Sequence, residues 1–425
     1  MYCFCKVMAQ FPLKLSTSTK NNMKTIALFA FACDPSLGSE PGNGWSWVSG
    51  LAQKGYQIHC FTRSSGKENI DKKPKIENVT FHYVTLPFGF EKLFASSTPG
   101  MYLYYIIWQY TAYRTCKHLS KKIIFDVAHH VTWGSTQMGS FIYKLGIPFI
   151  FGPAGGGQVA PEAFKKYFLN HWDAEVKREK VSKWLLKYNP ACKKMLKEAQ
   201  VVLSSNPDTM RMVQKAGAKN VVLSFDATVP NWFIPASHIR RNTERGKLKL
   251  LWVGRFMPRK GLLLVIEVMK ALKDFPGITL SVVGDGEMKS AFLDKVEDYQ
   301  LNDTVFWMGK VPYEDVIGYY KSHDAFIFTS LRDSGPAQLV EAMAYSLPII
   351  TINLHGQAIL VSDQRGTKCD CETPEIAIDS LRNAVLELSE DPELLQQKSI
   401  GAFTFAKEQT WDKKIDSIVS NYYPI

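Results

Sequence analysis

The residues whose types and spacing suit chemistry best lie in the second half of the chain. Trp252-Val253-Gly254-Arg255 ends an apolar run, and Arg255-Phe256-Met257-Pro258-Arg259-Lys260-Gly261 leads into a helical pattern. Several cations at a helix N-terminus are unfavourable unless an anion lies between them, because the helix dipole there already favours negative charge. A diphosphate would be such an anion; solvated surface charge is the plainer alternative. Farther on, Asp333 and Glu341 flank Ser334-Gly335-Pro336-Ala337-Gln338-Leu339-Val340. Carboxylates accept paired hydrogen bonds and so grip vicinal hydroxyls, as nucleotide-binding folds do with ribose.

The first half offers two glycine-rich loops. Gly38-Ser39-Glu40-Pro41-Gly42-Asn43-Gly44 is expected to end where a helix begins, so that backbone N–H groups of Gly38, Gly42 and Gly44 could face an anion. A tight turn that needs glycines is the alternative. Gly152-Pro153-Ala154-Gly155-Gly156-Gly157 follows another apolar run, and Gly155 and Gly156 would let a ligand approach the backbone. Neither loop is a dinucleotide fingerprint or a Walker-type Gly-Lys-Ser/Thr. His129 and His130 end a strand. Alternate strand residues face opposite ways, so one of the two, with His130 preferred, points to a cleft, or else both are packed histidines.

These groups need positioning elements. Apolar runs KTIALFAFA from Lys24, YQIHCFT, TFHYVTL, KIIFDVAHHV, IPFIFG and QVVLSS alternate with mostly helical patterns up to Asn206-Pro207. Periodicity fails between Ser224 and Gly246, then restarts with LKLLWVG, LLLVIEVMKAL, ITLSVVG, TVFWMG, DAFIFT and PIITI. Buried strands separated by helices imply parallel sheets covered on both faces. The expected architecture is α/β: two Rossmann-like, doubly wound parallel-sheet domains facing a cleft, with a C-terminal helical tail. The divisions read as a leader over 1–22, an N-terminal domain over 23–230 and a linker over 231–246. A second domain covers 247–405, and a helix over 406–425 packs back on the first.

The 425 residues, 46% hydrophobic and 21% charged, exclude a single small module and a disordered chain. Net charge of +11 favours anionic partners without choosing among them. Eight cysteines are too sparse for a disulfide framework and fit a reducing compartment. Cys369-Asp370-Cys371 lacks the further ligands of a structural zinc site, so no metal is expected. No run reaches the ~20 apolar residues of a membrane span. Between Ala163 and Glu198, ten Lys or Arg and four Asp or Glu interleave with Phe164, Tyr167, Phe168, Trp172, Trp184 and Leu185. That pattern fits an anionic membrane interface, or a solvated helix face packed on the domain.

Taken together, Gly254-Arg255, Lys260-Gly261, Gly284-Asp285-Gly286 and the Asp333/Glu341 pair running on to Pro348 resemble the retaining glycosyltransferases of group 1, family four. Ala32-Cys33-Asp34-Pro35 with its loop, His129-His130 and the Gly152–Gly157 loop look like one branch of that family, over about residues 24 to 422. The resemblance implies a GT-B fold, a nucleotide-diphosphate sugar donor held mainly by the second domain, and an acceptor on the first. Arg255 and Lys260 would hold the diphosphate, Glu341 the ribose, and Asp333 the transferred sugar. Gly254, Gly284, Asp285, Ser334 and Gly335 would shape the donor site, and His130 would touch the sugar or its phosphate. Two departures stand out. Asp333 replaces the family's usual Glu, and Leu354-His355-Gly356-Gln357-Ala358 replaces a Gly-rich turn. The chain has no Asp-x-Asp triplet, which argues for fixed cations in place of a metal, with no cofactor. The expected activity is hexosyl transfer to a saccharide or lipid-linked saccharide in polysaccharide or glycolipid synthesis. It would take place in the cytoplasm or at the inner face of the plasma membrane, without nucleic acid. A sugar-nucleotide epimerase or phosphorylase, and a basic membrane or nucleic-acid adaptor, are the alternatives.

Overall fold

The computed structural model describes residues 23–241 and 244–423; the expected leader lies outside them. The first sheet holds β1 (Thr25–Phe29), β2 (Gln57–Thr62), β3 (Val79–Tyr83), β4 (Val127–His130), β5 (Phe149–Ala154), β6 (Val201–Ser204) and β7 (Val221–Leu223). The second holds β8 (Leu248–Val253), β9 (Ile278–Val283), β10 (Val305–Gly309), β11 (Ala325–Phe328), β12 (Ile349–Ile352) and β13 (Gly366–Cys369). Their orders are β3-β2-β1-β4-β5-β6-β7 and β10-β9-β8-β11-β12-β13. Every pairing is parallel, with Ile26 opposite both Ile58 and Val127, and Leu250 opposite Leu280 and Ala325. Continuous apolar runs suit such strands because helices cover both faces. The helix Lys289–Asp298, between β9 and β10, went unread in the sequence.

Both sheets reverse their strand order, at β1/β4 and at β8/β11. Ligands of doubly wound sheets bind outside the carboxyl ends of the strands at that reversal. The two reversals frame one cleft between the sheets, because Ser205 and Asn206, following β6, hydrogen-bond Ser334, following β11.

The chain crosses between domains earlier than the sequence suggests. Ala227, Val229 and Phe233 already belong to the core around β11, so residues 227–230 leave the first domain. The polar run read as a free linker is anchored by Arg241. Its buried guanidinium donates to the carbonyls of Lys321, His323, Tyr320 and Tyr345. The return crossing lies beside the first: Val229 N–H donates to Gln409 O, and Trp411 N–H to Val229 O. The helix Trp411–Tyr422 then packs on the first domain, with Ile415 over Gly50, where a Cβ would lie 2.2 Å from Ile415 Cδ1.

A second exchange involves the basic aromatic segment. Its 3-10 stretch, Glu162–His171, sends Phe164, Tyr167 and Phe168 into the core of the second domain, with Trp172 packed against it. Tyr167 Oη donates to Glu267 Oε2 at 2.6 Å. The expectation that these aromatics face a membrane is therefore corrected: apolar side chains of the helix Leu262–Ala271 cover them. Trp184, at 60% exposure, is the aromatic of that set left on the surface. No helix among the described residues is long and apolar enough to cross a membrane. Phe168→Ala should cost about 3–5 kcal/mol of stability in urea unfolding, as a large-to-small core change does; a surface position would change it by at most ~0.5 kcal/mol.

β4 carries two histidines through the middle of the sheet. His129 takes both its partners from the interior, Tyr423 Oη at 2.7 Å and Gly152 O at 2.8 Å. Burial pushes the pKa of His129 down to about 3 and that of His130 down to about 4, from an ordinary 6.5. Between those values and 6.5 the unfolded chain binds protons that the folded chain refuses, so each histidine removes stability as pH falls through that window. Each contributes a slope of about 1.4 kcal/mol per pH unit. His129→Gln should lower Tm at pH 7 and reduce the slope of unfolding free energy against pH between 6 and 4 by about that amount.

Candidate active site

The second domain builds its part of the site from the loops after β8, β9 and β11, which are adjacent in the sheet. Two glycines let these loops close on one another. Gly261 has φ +65°, and a Cβ there would lie 2.0 Å from Thr329 O; at Gly284, φ +142°, it would lie 1.9 Å from Gly254 O. The turn Pro258–Lys260 is thereby pressed against the end of β11. Leu331 N–H donates to Arg259 O, and Thr329 Oγ1 to Gly261 O at 2.9 Å.

This brings Lys260, Arg259 and Asp333 together. Lys260 Nζ lies 2.5 Å from Asp333 Oδ2, and Arg259 Nη1 3.4 Å from the same oxygen. Ser330 Oγ and Ser334 N–H also donate to the Asp333 carboxylate. Burial would raise the pKa of Asp333, but Lys260 and Arg259 outweigh it and hold the carboxyl below its ordinary value. Burial lowers Lys260, opposed by Asp333. Lys260 and Arg259 thus favour the charged form of Asp333 in spite of its burial. Lys260 spends one donor on Asp333, leaving two for an anion. Arg255 is exposed at the mouth of the same loop and close enough for its charge to bear on Lys260.

Glu341 sits in the helix Ala337–Ala344 and is held by two phenols, Tyr313 Oη at 3.1 Å and Tyr320 Oη at 3.0 Å. Burial raises its pKa, and the two phenol hydrogen bonds oppose that shift. A carboxylate offers about four lone-pair sites, so two remain for a ligand's hydroxyls. Gly254 and Gly284 line the loop contact just described. Asp285 is exposed, with Oδ1 turned back to accept from Gly286 N–H at 2.7 Å.

Across the cleft several expectations change. The helix after β1 begins at Ser39, so Gly42 and Gly44 lie inside it and not in a phosphate-cradling loop. A Cβ on Gly44 would lie 2.0 Å from Ala32 O: this glycine lets the helix pack against the end of β1. Gly38 is the N-cap residue and has no side chain to cap with. Gly155 and Gly156 do line the cleft, and Gly155 lies against Ser334, whose Oγ a Cβ would meet at 2.6 Å.

The histidines are placed as packed residues. His130 is 1% exposed; its Nε2 lies 2.8 Å from Thr132 O and 3.2 Å from Tyr105 Oη, and it does not line the cleft. The sugar-contacting role expected of it is not met in this conformation, because central β4 is covered on both faces. The segment from Leu354 opens the short helix His355–Leu360. His355 reaches the first domain at Asp208 Oδ2, 2.7 Å, and Val159 O, 2.8 Å.

Arg259, Tyr313 and Tyr320 escaped the sequence reading, as did Glu40, Trp133 and Asp226, which line the cleft. Glu40 and Arg259 carried a signal, each by its place within a singled-out segment. Among the described residues no three His, Cys, Asp or Glu come together as metal ligands would.

Residues 235–402 match the family described as glycosyl transferases group 1. Over 179 residues the chain is 28% identical to the uncharacterized glycosyltransferase MJ1069 of Methanocaldococcus jannaschii, covering 40% of this chain and 44% of that protein. The chain thus spans less than half the length of that relative. Among solved structures it is similar to sucrose-phosphate synthase from Thermosynechococcus elongatus, with TM-score 0.66, 16% identity and coverage of 94% and 98% of the two chains. HepE of Anabaena, solved in complex with UDP and glucose, has TM-score 0.58, 12% identity and coverage of 93% and 99%. At such identities the likeness shows the fold, two parallel-sheet domains of the GT-B type. By the match over residues 235–402, the second domain is similar to the group 1 glycosyl transferases.

Proposed function

We propose that this protein is a retaining glycosyltransferase moving a hexosyl group from a nucleotide-diphosphate sugar to a saccharide or lipid-linked saccharide. The observation that carries this reading is the convergence of Lys260 and Arg259 on Asp333, with Arg255 at the mouth, at the β8/β11 reversal facing the first domain. The bound UDP and glucose of HepE, a neighbour in fold, are in keeping with it.

In this reading Arg255 and the free donors of Lys260 hold the diphosphate, Glu341 accepts from the ribose hydroxyls, and Asp333 accepts from the donor sugar. Asp333 is one methylene shorter than Glu, and Lys260 and Arg259 draw it back toward the loop after β8. The bond between the sugar's anomeric carbon and the diphosphate oxygen breaks, and the acceptor oxygen bonds to that carbon on the same face. The acceptor's proton passes to the departing diphosphate, so no protein base is required. Charge that develops on the leaving group is met by fixed cations, the reason for reading the reaction as metal-independent. The cross-domain contacts of Ser334 and His355 keep the cleft closed and exclude water that would otherwise hydrolyse the donor. The place of work is the cytoplasm or the inner face of the plasma membrane. Contact with anionic lipid would fall to exposed Trp184 and Tyr188 and the lysines of the helix Trp172–Tyr188. The product would enter polysaccharide or glycolipid synthesis.

Among the described residues the Arg255 side chain makes no hydrogen bond, so Arg255→Ala should leave Tm unchanged. It should weaken uridine or guanosine diphosphate binding about 10- to 100-fold, the worth of a charge-assisted hydrogen bond. Lys260→Ala should weaken it as much and also lower Tm, because Asp333 loses its partner. Calorimetric titration, with diphosphate release followed in a donor screen, checks both; undiminished transfer by the Arg255/Lys260 double variant would refute the assignment.

A further inference from the structure

Beside the donor-binding residues lies a cleft of about 350 Å3, lined by Glu40, Asn43 and Trp133 of the first domain, Asp226 of the crossing segment and Ser334 of the second domain. That volume falls in the ~300–1,000 Å3 range of small-molecule sites. Ser334 adjoins Asp333, so the cleft opens next to the grip assigned to the donor sugar. Its polar character differs from that of the donor side. Among the described residues no Lys or Arg lines it, and its two charged groups are both carboxyls.

Neither carboxyl is used up by the fold. Glu40 Oε1 accepts from Trp133 N–H, which fixes its orientation and leaves Oε2 without a hydrogen bond among the described residues. Asp226 accepts no side-chain hydrogen bond among them. The cation whose charge bears on it, Lys414, turns its Nζ to Phe225 O at 2.5 Å and Thr228 Oγ1 at 3.4 Å. Partly buried carboxyls with open lone pairs are well placed to take donors from a ligand. The groups that bear on them are few: Asp226 and the Tyr105 phenol on Glu40, and Lys414 on Asp226. Burial, aided by Asp226, pushes Glu40 up to about 7, and burial also raises Asp226. Around neutral pH Glu40 gives up part of its charge and can donate as well as accept, the behaviour that suits hydroxyls.

We infer that this cleft is the acceptor subsite and that Glu40 and Asp226 bind the hydroxyls of an uncharged terminal sugar ring, rejecting acceptors that end in a phosphate or a uronate. The inference rests on the transferase reading. Phosphorylated or uronic termini would place an anion against two carboxyls with no cation among the lining residues, whereas Lys260 and Arg259 are paired with Asp333.

The test uses the whole protein with methyl glycosides of neutral hexoses, the corresponding 6-phosphates and the corresponding uronic acids. Binding is titrated in the presence of uridine or guanosine diphosphate, and transfer is measured with the donor found by the screen. Neutral glycosides should bind and react at least about tenfold better than both charged series. Glu40→Gln and Asp226→Asn should each raise acceptor KM about tenfold or more while donor KM and diphosphate affinity stay within twofold. The acceptor KM of the unsubstituted protein should vary with pH around 7, and Glu40→Gln should remove that variation. Equal use of phosphorylated acceptors, an effect confined to donor KM, or lowered Tm without a change in acceptor KM overturns the inference and leaves the transferase reading standing. Absence of any diphosphate binding overturns the transferase reading, and the subsite with it.

Discussion

Lys260 and Asp333 meet under the carboxyl ends of β8 and β11, and neither could stay charged there without the other. Taking one ion out of water costs several kcal/mol, which close pairing and further hydrogen bonds can offset. The structure supplies both, through Arg259, Ser330 and the Ser334 amide. It obtains the approach by leaving Gly261 without a side chain over Thr329 O. Once that contact is set, the loop after β11 has one course. It turns Ser334 toward Ser205 and Asn206 and leads into the helix that carries Glu341. The charge pair thus organises this side of the cleft and one edge of the domain contact together.

The domains hold each other through exchanged pieces as much as through apposed surfaces. Phe164, Tyr167 and Phe168, from the first half of the sequence, complete the core of the second domain. Trp411, Ile415, Ile418 and Tyr423, from its last residues, complete the core of the first. Arg332 joins Glu175 at 2.6 Å along the same boundary. The cleft is therefore bounded by segments that are not free to separate independently, an arrangement that positions groups from both domains around a ligand.

Much of this was legible in the chain because buried parallel strands are nearly pure apolar runs, and LKLLWV or AFIF admits few other readings. The cation-rich turn was legible because charge at a helix start conflicts with the dipole and asks for an anion. What stayed hidden depends on partners distant in sequence. Arg241 sits in a polar run and looks solvated, and only the folded chain reveals four carbonyls around it. Phe164 and Phe168 announce a buried face without saying which domain buries it. Gly42 and Gly44 look like loop because their helix propensity is poor; the close approach to Ala32 that requires a glycine at 44 is a tertiary fact. Asp226 carried no signal, since one acid in an aperiodic stretch is ordinary until Glu40 and Trp133 stand beside it.

The placement of Trp411–Tyr422 bears on how the protein comes into being. Gly50, Trp47 and His129 are synthesised long before the side chains that cover them, which come much later in the chain. A ribosome extends a chain by roughly 5–20 residues per second, so the nascent first sheet waits on the order of tens of seconds with that face uncovered. Assembly of that domain therefore waits for the later segment to emerge, and a chaperone that shields apolar strands would meet this face throughout the interval.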